Sequence, residues 1–116
     1  MADEAQGAEG QWHPVLASGA LDETGMQPVT VDGQKLIVLR ADGAVVAYRD
    51  ACPHEGYALS VHGERQDFVI VCNKHLWEFD AATGEHISRI PRPQCNLKRF
   101  AARDAGGMIE VDLGAA

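Results

Sequence analysis

Two short segments in the middle of the chain each place a cysteine and a histidine close together. The first is Cys52-Pro53-His54 and the second is Cys72-Asn73-Lys74-His75, with residues 55–71 between them. Thiolates and imidazoles are the side chains that bind soft and borderline metals in proteins. Because each segment supplies one of each, we predict that the two loops hold a single metal centre from two sides.

Two metal centres use two cysteines and two histidines. A structural zinc site binds them tetrahedrally, but zinc motifs usually place the two cysteines in one knuckle and the two histidines in another. A [2Fe–2S] cluster can have cysteines on one iron and histidines on the other. Such a cluster matches two loops that each carry one cysteine and one histidine. The pairing therefore favours the iron–sulfur cluster. A zinc-stabilised binding module is a remote alternative, and chance placement of four unrelated residues is the least favoured interpretation.

The third cysteine, Cys95, has no histidine at ligand spacing. An odd number of cysteines without an export signal makes disulfides unexpected. We expect Cys95 to be a buried or half-buried free thiol, with a position near the metal site as the weaker alternative, and its role is left open.

Charge and hydropathy exclude several classes of function. The net charge is −7, from 17 acidic and 10 basic residues, which argues against nucleic acid or an anionic membrane surface as partner. No apolar run approaches the roughly 20 residues that cross a bilayer. The N-terminus has neither the basic nor the apolar region of a signal peptide. We therefore expect a soluble, cytoplasmic protein.

Short apolar runs separated by Asp-Gly and other Gly-containing turns indicate an all-β sandwich or barrel. A helical turn is expected over 18–23, with Ser18 as its cap. Residues 1–10 are predicted to form a flexible tail and 11–116 a single domain. The expected strands are Trp12–Ala17, Met26–Val31, Gln34–Arg40, Ala44–Tyr48, Phe68–Val71, Leu76–Phe79 and a strand over 109–113.

The two loops, followed by Leu76-Trp77-x-Phe79 and Thr83-Gly84, resemble the Rieske-type ferredoxins. The resemblance is greatest to those that serve soluble diiron monooxygenases of the toluene 4-monooxygenase and isoprene monooxygenase type. It implies an antiparallel β-sandwich with an inserted cluster-binding subdomain, here about residues 50–95. It also implies one Rieske [2Fe–2S] cluster per chain, with Cys52 and Cys72 on the inner iron and His54 and His75 on the outer iron.

The function implied by the resemblance is electron transport, not catalysis. A monomeric carrier would take single electrons from an NADH-dependent flavin/iron–sulfur reductase and pass them to the hydroxylase of a hydrocarbon monooxygenase. The alternative is the ferredoxin of a ring-hydroxylating dioxygenase. Docking contacts are expected near the histidines, including Tyr57, Lys74 and Leu76, whereas Trp77 is assigned equally to docking and to the core. The segment Ile90-Pro91-Arg92-Pro93 resembles a proline-containing segment beside such clusters, or is a plain loop.

The chain departs from the high-potential members of the family. Those proteins carry an additional cysteine in each loop, joined as a disulfide, and hydroxyl side chains after the second histidine. Here neither loop has the additional cysteine, and the hydroxyl positions hold Trp77 and Phe79. Fewer hydrogen bonds to the cluster stabilise the added electron less, so we predict a midpoint potential toward the low end of the roughly −150 to +300 mV range of Rieske centres.

Overall fold

Two antiparallel β-sheets form the described part of the chain. The computed structural model describes residues 12–53, 56–74, 76–87 and 95–114. The strands are β1 His13–Ala17, β2 Gln27–Val31, β3 Gln34–Ala41, β4 Ala44–Arg49, β5 Gly63–Gln66, β6 Val69–Cys72, β7 Trp77–Asp80, β8 Arg99–Ala105 and β9 Met108–Asp112. The larger sheet has six strands in the order β1-β9-β8-β4-β3-β2, and the smaller has three in the order β5-β6-β7. A 3₁₀ turn at Ser18–Ala20 and a short helix α1 at Leu59–His62 accompany them.

Two Asp-Gly turns connect β2, β3 and β4 into the predicted meander. Asp32 and Gly33 have φ of +48° and +80°, and Asp42 and Gly43 have φ of +54° and +78°. Positive φ at both central residues is the type I′ geometry, whose twist matches that of the flanking strands. The turn sequences therefore set the register of three of the six strands of the larger sheet.

Strand β3 is buried on both faces and contributes side chains to two hydrophobic cores. Its residues Leu36 and Val38 pack with Phe100 and Ile109 in the core of the six-stranded sheet. The alternate residues face a second core, to which both sheets contribute. That core contains Ile37, Leu39, Ala41, Val46, Tyr48, Cys52, Leu59, Ile70, Cys72, Phe79, Ala81 and Leu97. The smaller sheet therefore rests on the outer face of the larger one.

The all-β class predicted from the sequence is confirmed, with differences in detail. Strands β5 and β8 were not predicted, and Phe68 lies in a turn, 76% exposed, instead of in a strand. Ser18 as helix cap is wrong. Ala17 holds the cap position, and the Ser18 hydroxyl instead donates to the Asp104 carboxylate.

Some of the predicted features concern residues outside the described part of the chain or the division of the chain into units. The tail over 1–10 and the segment over 90–93 lie outside the described residues. Strands β5, β6 and β7 lie inside the range 50–95, and the division into a domain and an inserted subdomain remains a prediction. Within the described ranges, no helix has the length and apolar character needed to cross a membrane.

Candidate metal centre

Cys52 and Cys72 lie together in the core shared by the two sheets. Their exposures are 1% and 0%. All three cysteines are within the described residues and none forms a disulfide; Cys95 is half-buried and outside this core. The structure therefore places the two cysteines predicted as ligands in one buried core, to which the half-buried Cys95 does not belong.

The loops that begin at these cysteines have the same backbone construction. The amide of Gly56 donates to the carbonyl of Cys52 at 2.7 Å, and the amide of Leu76 donates to the carbonyl of Cys72 at 2.7 Å. Gly56 and Leu76, each four residues after its cysteine, have φ of +79° and +58°. Each cysteine therefore opens a loop whose far end is hydrogen-bonded to the cysteine's own carbonyl.

Leu76 occupies the left-handed conformation without being glycine or asparagine. A non-glycine residue held there costs of order 1–3 kcal/mol. Its side chain is also 70% exposed. The fold thus maintains both backbone strain and an exposed apolar side chain directly after His75, and such strain concentrates at functional sites.

The first loop is anchored through Asp50 and Tyr57. The amide of Cys52 donates to the carbonyl of Tyr57 at 2.8 Å. The buried Asp50 carboxylate accepts from the Ser60 amide at 2.8 Å and from the Ser60 hydroxyl at 2.5 Å. Hydrogen bonds to the charged oxygens offset the cost of burying Asp50 and hold the start of helix α1 against the end of β4.

The second loop is anchored through strand β5. Asn73 donates its amide to the carbonyl of His62 at 2.8 Å and its side-chain Nδ2 to Glu64 Oε1 at 3.2 Å. Gly63 lies opposite Cys72 in the sheet. A Cβ at Gly63 would approach the carbonyl oxygen of Leu59 to 2.8 Å, so only glycine allows α1 and β5 to meet this closely beside Cys72.

The two loops also touch each other through side chains. Lys74 Nζ lies 5.2 Å from the centroid of the Tyr57 ring, within the range of a cation–π contact. The Tyr57 ring in turn meets the ring of His62 edge-on, with centroids 5.4 Å apart and an interplanar angle of 75°. A basic and an aromatic residue that sequence reasoning assigned to docking are therefore in contact with one another.

Trp77 packs against the shared core and is only partly exposed. Its ring lies 4.4 Å from the ring of His86, which is 4% exposed. The backbone amide of His86 donates a hydrogen bond to the side-chain oxygen of Asn96 at 3.0 Å. Of the two roles assigned to Trp77, the core contact is present.

The histidines predicted as ligands, His54 and His75, lie outside the described residues. The four-residue ligand set therefore stays a prediction. Sequence reasoning overlooked Asp50 and Gly63 as supports of the loops. The available signals were an acidic residue two positions before the first cysteine and a glycine nine positions before the second.

The cysteine pair and its loops fit the family that the chain matches. Residues 11–101 match the family model of the Rieske [2Fe-2S] domain. The chain belongs to this family, whose cofactor is a Rieske [2Fe–2S] cluster. Two buried thiols at the mouths of equivalent loops, without a disulfide between them, are a donor set that suits such a cluster.

Similar proteins include oxygenase components and free ferredoxins. The chain is 30% identical to the terminal oxygenase component of carbazole 1,9a-dioxygenase from Metapseudomonas resinovorans, over 97% of this chain and 31% of that protein. It is 27% identical to the ferredoxin component of the alkene monooxygenase system of Xanthobacter autotrophicus, over 74% of this chain and 68% of that protein. A chain of the reduced complex between oxygenase and ferredoxin in carbazole 1,9a-dioxygenase superposes with a TM-score of 0.78 at 26% identity, covering 90% of this chain and 29% of that one. The chain thus spans about a third of the oxygenase component it resembles.

Proposed function

We propose that this protein is an electron-transfer ferredoxin that carries single electrons on a Rieske cluster held by Cys52, His54, Cys72 and His75. The observation that carries the proposal is the pair of buried cysteines, each opening a loop closed by the same hydrogen bond. A [2Fe–2S] cluster bound there supplies a one-electron redox centre. No further catalytic group is required, so the protein itself is a carrier and not an enzyme.

The cysteines and the histidines would hold such a cluster from different sides. The cysteines lie in the apolar core, which excludes water from the inner side of the site. The described residues next to the two histidines in sequence, Pro53, Lys74 and Leu76, are exposed. The inner ligands would therefore be rigid and the outer ligands would face the partner, an arrangement that suits brief docking by redox partners.

We propose that the electrons pass from an NADH-dependent flavin/iron–sulfur reductase to the hydroxylase of a soluble diiron hydrocarbon monooxygenase. Support comes from the similarity to the ferredoxin component of the alkene monooxygenase system, of which the chain matches 68%. The Leu76-Trp77-x-Phe79 sequence supports the same assignment. On this proposal the protein acts as a monomer in hydrocarbon catabolism, in the cytoplasm.

A ring-hydroxylating dioxygenase system is the second candidate. It is favoured by the 30% identity to the terminal oxygenase component of carbazole 1,9a-dioxygenase. That match, however, extends over only 31% of the oxygenase component, whereas the free ferredoxin matches over two thirds of its length. The carrier role is common to both candidates, and the recipient of the electron distinguishes them.

The cluster proposal is tested by comparing cysteine variants of the purified protein. Wild type is expected to contain iron and acid-labile sulfide in equal amounts and to give a Rieske-type EPR spectrum after reduction. Cys52→Ser and Cys72→Ser should lose both. Cys95→Ser is the matched control, because it removes the thiol outside the shared core and should keep the spectrum. A colourless, zinc-containing wild type without sulfide would overturn the proposal.

The choice of partner is tested by reconstitution. The reduced wild-type protein is mixed with the hydroxylase of a diiron monooxygenase or with the terminal component of a ring-hydroxylating dioxygenase, and its reoxidation is followed by visible absorbance. Rapid reoxidation by the diiron hydroxylase alone is expected. Reoxidation only by the dioxygenase component would replace the first candidate with the second.

A further inference from the structure

We infer that Lys74 and Tyr57 are positioning residues whose contact ties together the two loops of the metal centre. The inference rests on the proposed function, since it concerns how this chain retains its cluster. Lys74 lies between Cys72 and His75 in the second loop, and Tyr57 directly follows the first loop. Their contact, 5.2 Å from ammonium nitrogen to ring centroid, spans from one loop to the other.

The Tyr57 end of the contact is fixed to Cys52. The carbonyl of Tyr57 accepts the amide of Cys52 at 2.8 Å, and the carbonyl of Cys52 accepts the amide of Gly56 at 2.7 Å. Cys52 is thus bonded through both of its backbone groups within this short segment. A displacement of the Tyr57 backbone would therefore move the first cysteine as well.

The Lys74 end is fixed to Cys72 by an equivalent arrangement. The hydrogen bond from the Leu76 amide to the Cys72 carbonyl closes the turn that contains Lys74. Next to Lys74, Asn73 donates to the carbonyl of His62. The ring of His62 packs edge-on against Tyr57, so a second route through α1 keeps the aromatic ring beneath the ammonium.

The contact between Lys74 and Tyr57 is strong enough to affect how far apart the two loops lie, but too weak to determine whether the protein folds. A cation–π pair at an exposed site changes an equilibrium by roughly two- to fivefold. The two sheets share a large apolar core that does not depend on this pair. Loss of the contact should therefore leave the folded state intact and raise the fraction of molecules in which the two loops have moved apart.

The chain contains a matched control for this pair. Lys98 Nζ lies 5.7 Å from the centroid of the Phe100 ring, and Phe100 belongs to the core inside the larger sheet. The same substitution at Lys98 removes the same type of contact from a pair that does not join the two loops. Lys98→Met thus separates a general cost of losing a cation–π pair from an effect on the metal centre.

The test measures how fast the cluster is lost. Cluster-loaded wild type and the variants Lys74→Met, Tyr57→Leu and the double variant are mixed with an iron chelator, and the decay of visible absorbance is followed. Urea unfolding of each variant is recorded in parallel. Each single variant is expected to lose its cluster roughly two- to fivefold faster than wild type. The double variant should lose it no faster than the worse single variant, because both changes remove one interaction.

Conservative variants distinguish positioning from bulk packing. Lys74→Arg keeps the cation and Tyr57→Phe keeps the ring, so both should decay at the wild-type rate. Lys98→Met should also decay at that rate. Independent effects of Lys74→Met and Tyr57→Leu that multiply in the double variant, or an unchanged rate in Lys74→Met, would overturn the inference while the wild type still shows its cluster. A wild type that binds no cluster would overturn the proposed function and this inference together.

Discussion

The hydroxyl of Tyr48 donates a hydrogen bond to the carbonyl oxygen of Ala81, 2.8 Å away. Tyr48 lies on β4 of the larger sheet, whereas Ala81 directly follows β7 of the smaller one. Both residues are fully buried. Burial raises the pKa of Tyr48 well above its ordinary value, so its hydroxyl remains a neutral donor throughout the working pH range. This bond fixes the sheet that carries the metal loops onto its support.

Gly84→Ala should disturb this junction strongly. Gly84 has φ of +82°, and an added Cβ would approach Tyr48 Cε1 to 2.7 Å. Strain and collision together are expected to lower the free energy of unfolding by about 2–4 kcal/mol. Urea unfolding monitored by circular dichroism measures the change.

Gly43→Ala provides the control for that experiment. Gly43 has φ of +78° but no atom within 4 Å of an added Cβ. Gly43→Ala should lower the free energy of unfolding only by the cost of backbone strain, about 1 kcal/mol. Equal losses at Gly43 and Gly84 would show that the contact with Tyr48 contributes nothing.

Gly63→Ala should act on the metal site more than on overall stability. The added Cβ would lie 2.8 Å from the Leu59 carbonyl oxygen and 3.0 Å from that of Val71, so α1 and β5 must separate next to Cys72. We expect reduced iron and sulfide content after purification and faster loss of the cluster to a chelator. Gly19→Ala, where nothing lies within 4 Å of the added Cβ, should match wild type in both measurements.

Asp104 should make folding stability sensitive to acid. The hydrogen bond from the Ser18 hydroxyl, with a smaller contribution from Arg40, lowers the pKa of Asp104 below its ordinary value of 3.8. Because the folded state holds the carboxylate in its charged form, the stabilisation is complete above 3.8 and is lost as the pH falls through the lower folded value. The free energy of unfolding of wild type should therefore decline more steeply below that pH than that of Asp104→Asn.

Comparing wild type with Asp104→Asn also removes the contribution of Asp22, a second carboxylate with a lowered pKa. The backbone amide of Thr24 likewise lowers the pKa of Asp22, but Asp22 is present in both proteins and cancels in the difference. Two curves of unfolding free energy that stay parallel from neutral pH to below 3.8 would contradict the assignment to Asp104.

The midpoint potential should lie in the lower part of the Rieske range of about −150 to +300 mV. Trp77 and Phe79 occupy the positions where high-potential relatives have hydroxyls, and the structure packs both rings beside His86. Their side chains offer no hydroxyl hydrogen bond to a cluster. A redox titration followed by EPR measures the potential, and a strongly positive midpoint would contradict the expectation.

The turns and the core strand of the larger sheet were predictable from sequence because local chemistry determines them. Asp32-Gly33 and Asp42-Gly43 carry their own conformational preference. The uninterrupted apolar run Leu36–Leu39 indicated a strand, but not that two different cores cover its two faces. That information lies in the arrangement of the other elements.

Elements without a pattern of their own escaped sequence reasoning. Strand β5, Gly63–Gln66, contains no large apolar residue and exists through its pairing with β6. Strand β8 has Phe100 as its single large apolar residue. At the site, the cysteines were predicted as ligands because each lies close in sequence to a histidine. The supports at Asp50 and Gly63 depend on long-range contacts that spacing does not reveal.

The contact between Lys74 and Tyr57 contains no bond that a reductant can break. A disulfide between the loops would exchange electrons with thiols and would open under strongly reducing conditions. The contact between an ammonium group and a phenol ring is changed neither by thiols nor by reducing conditions. The chain can thus be handled in dithiothreitol, or meet partners rich in thiols, with the connection between its two metal loops intact.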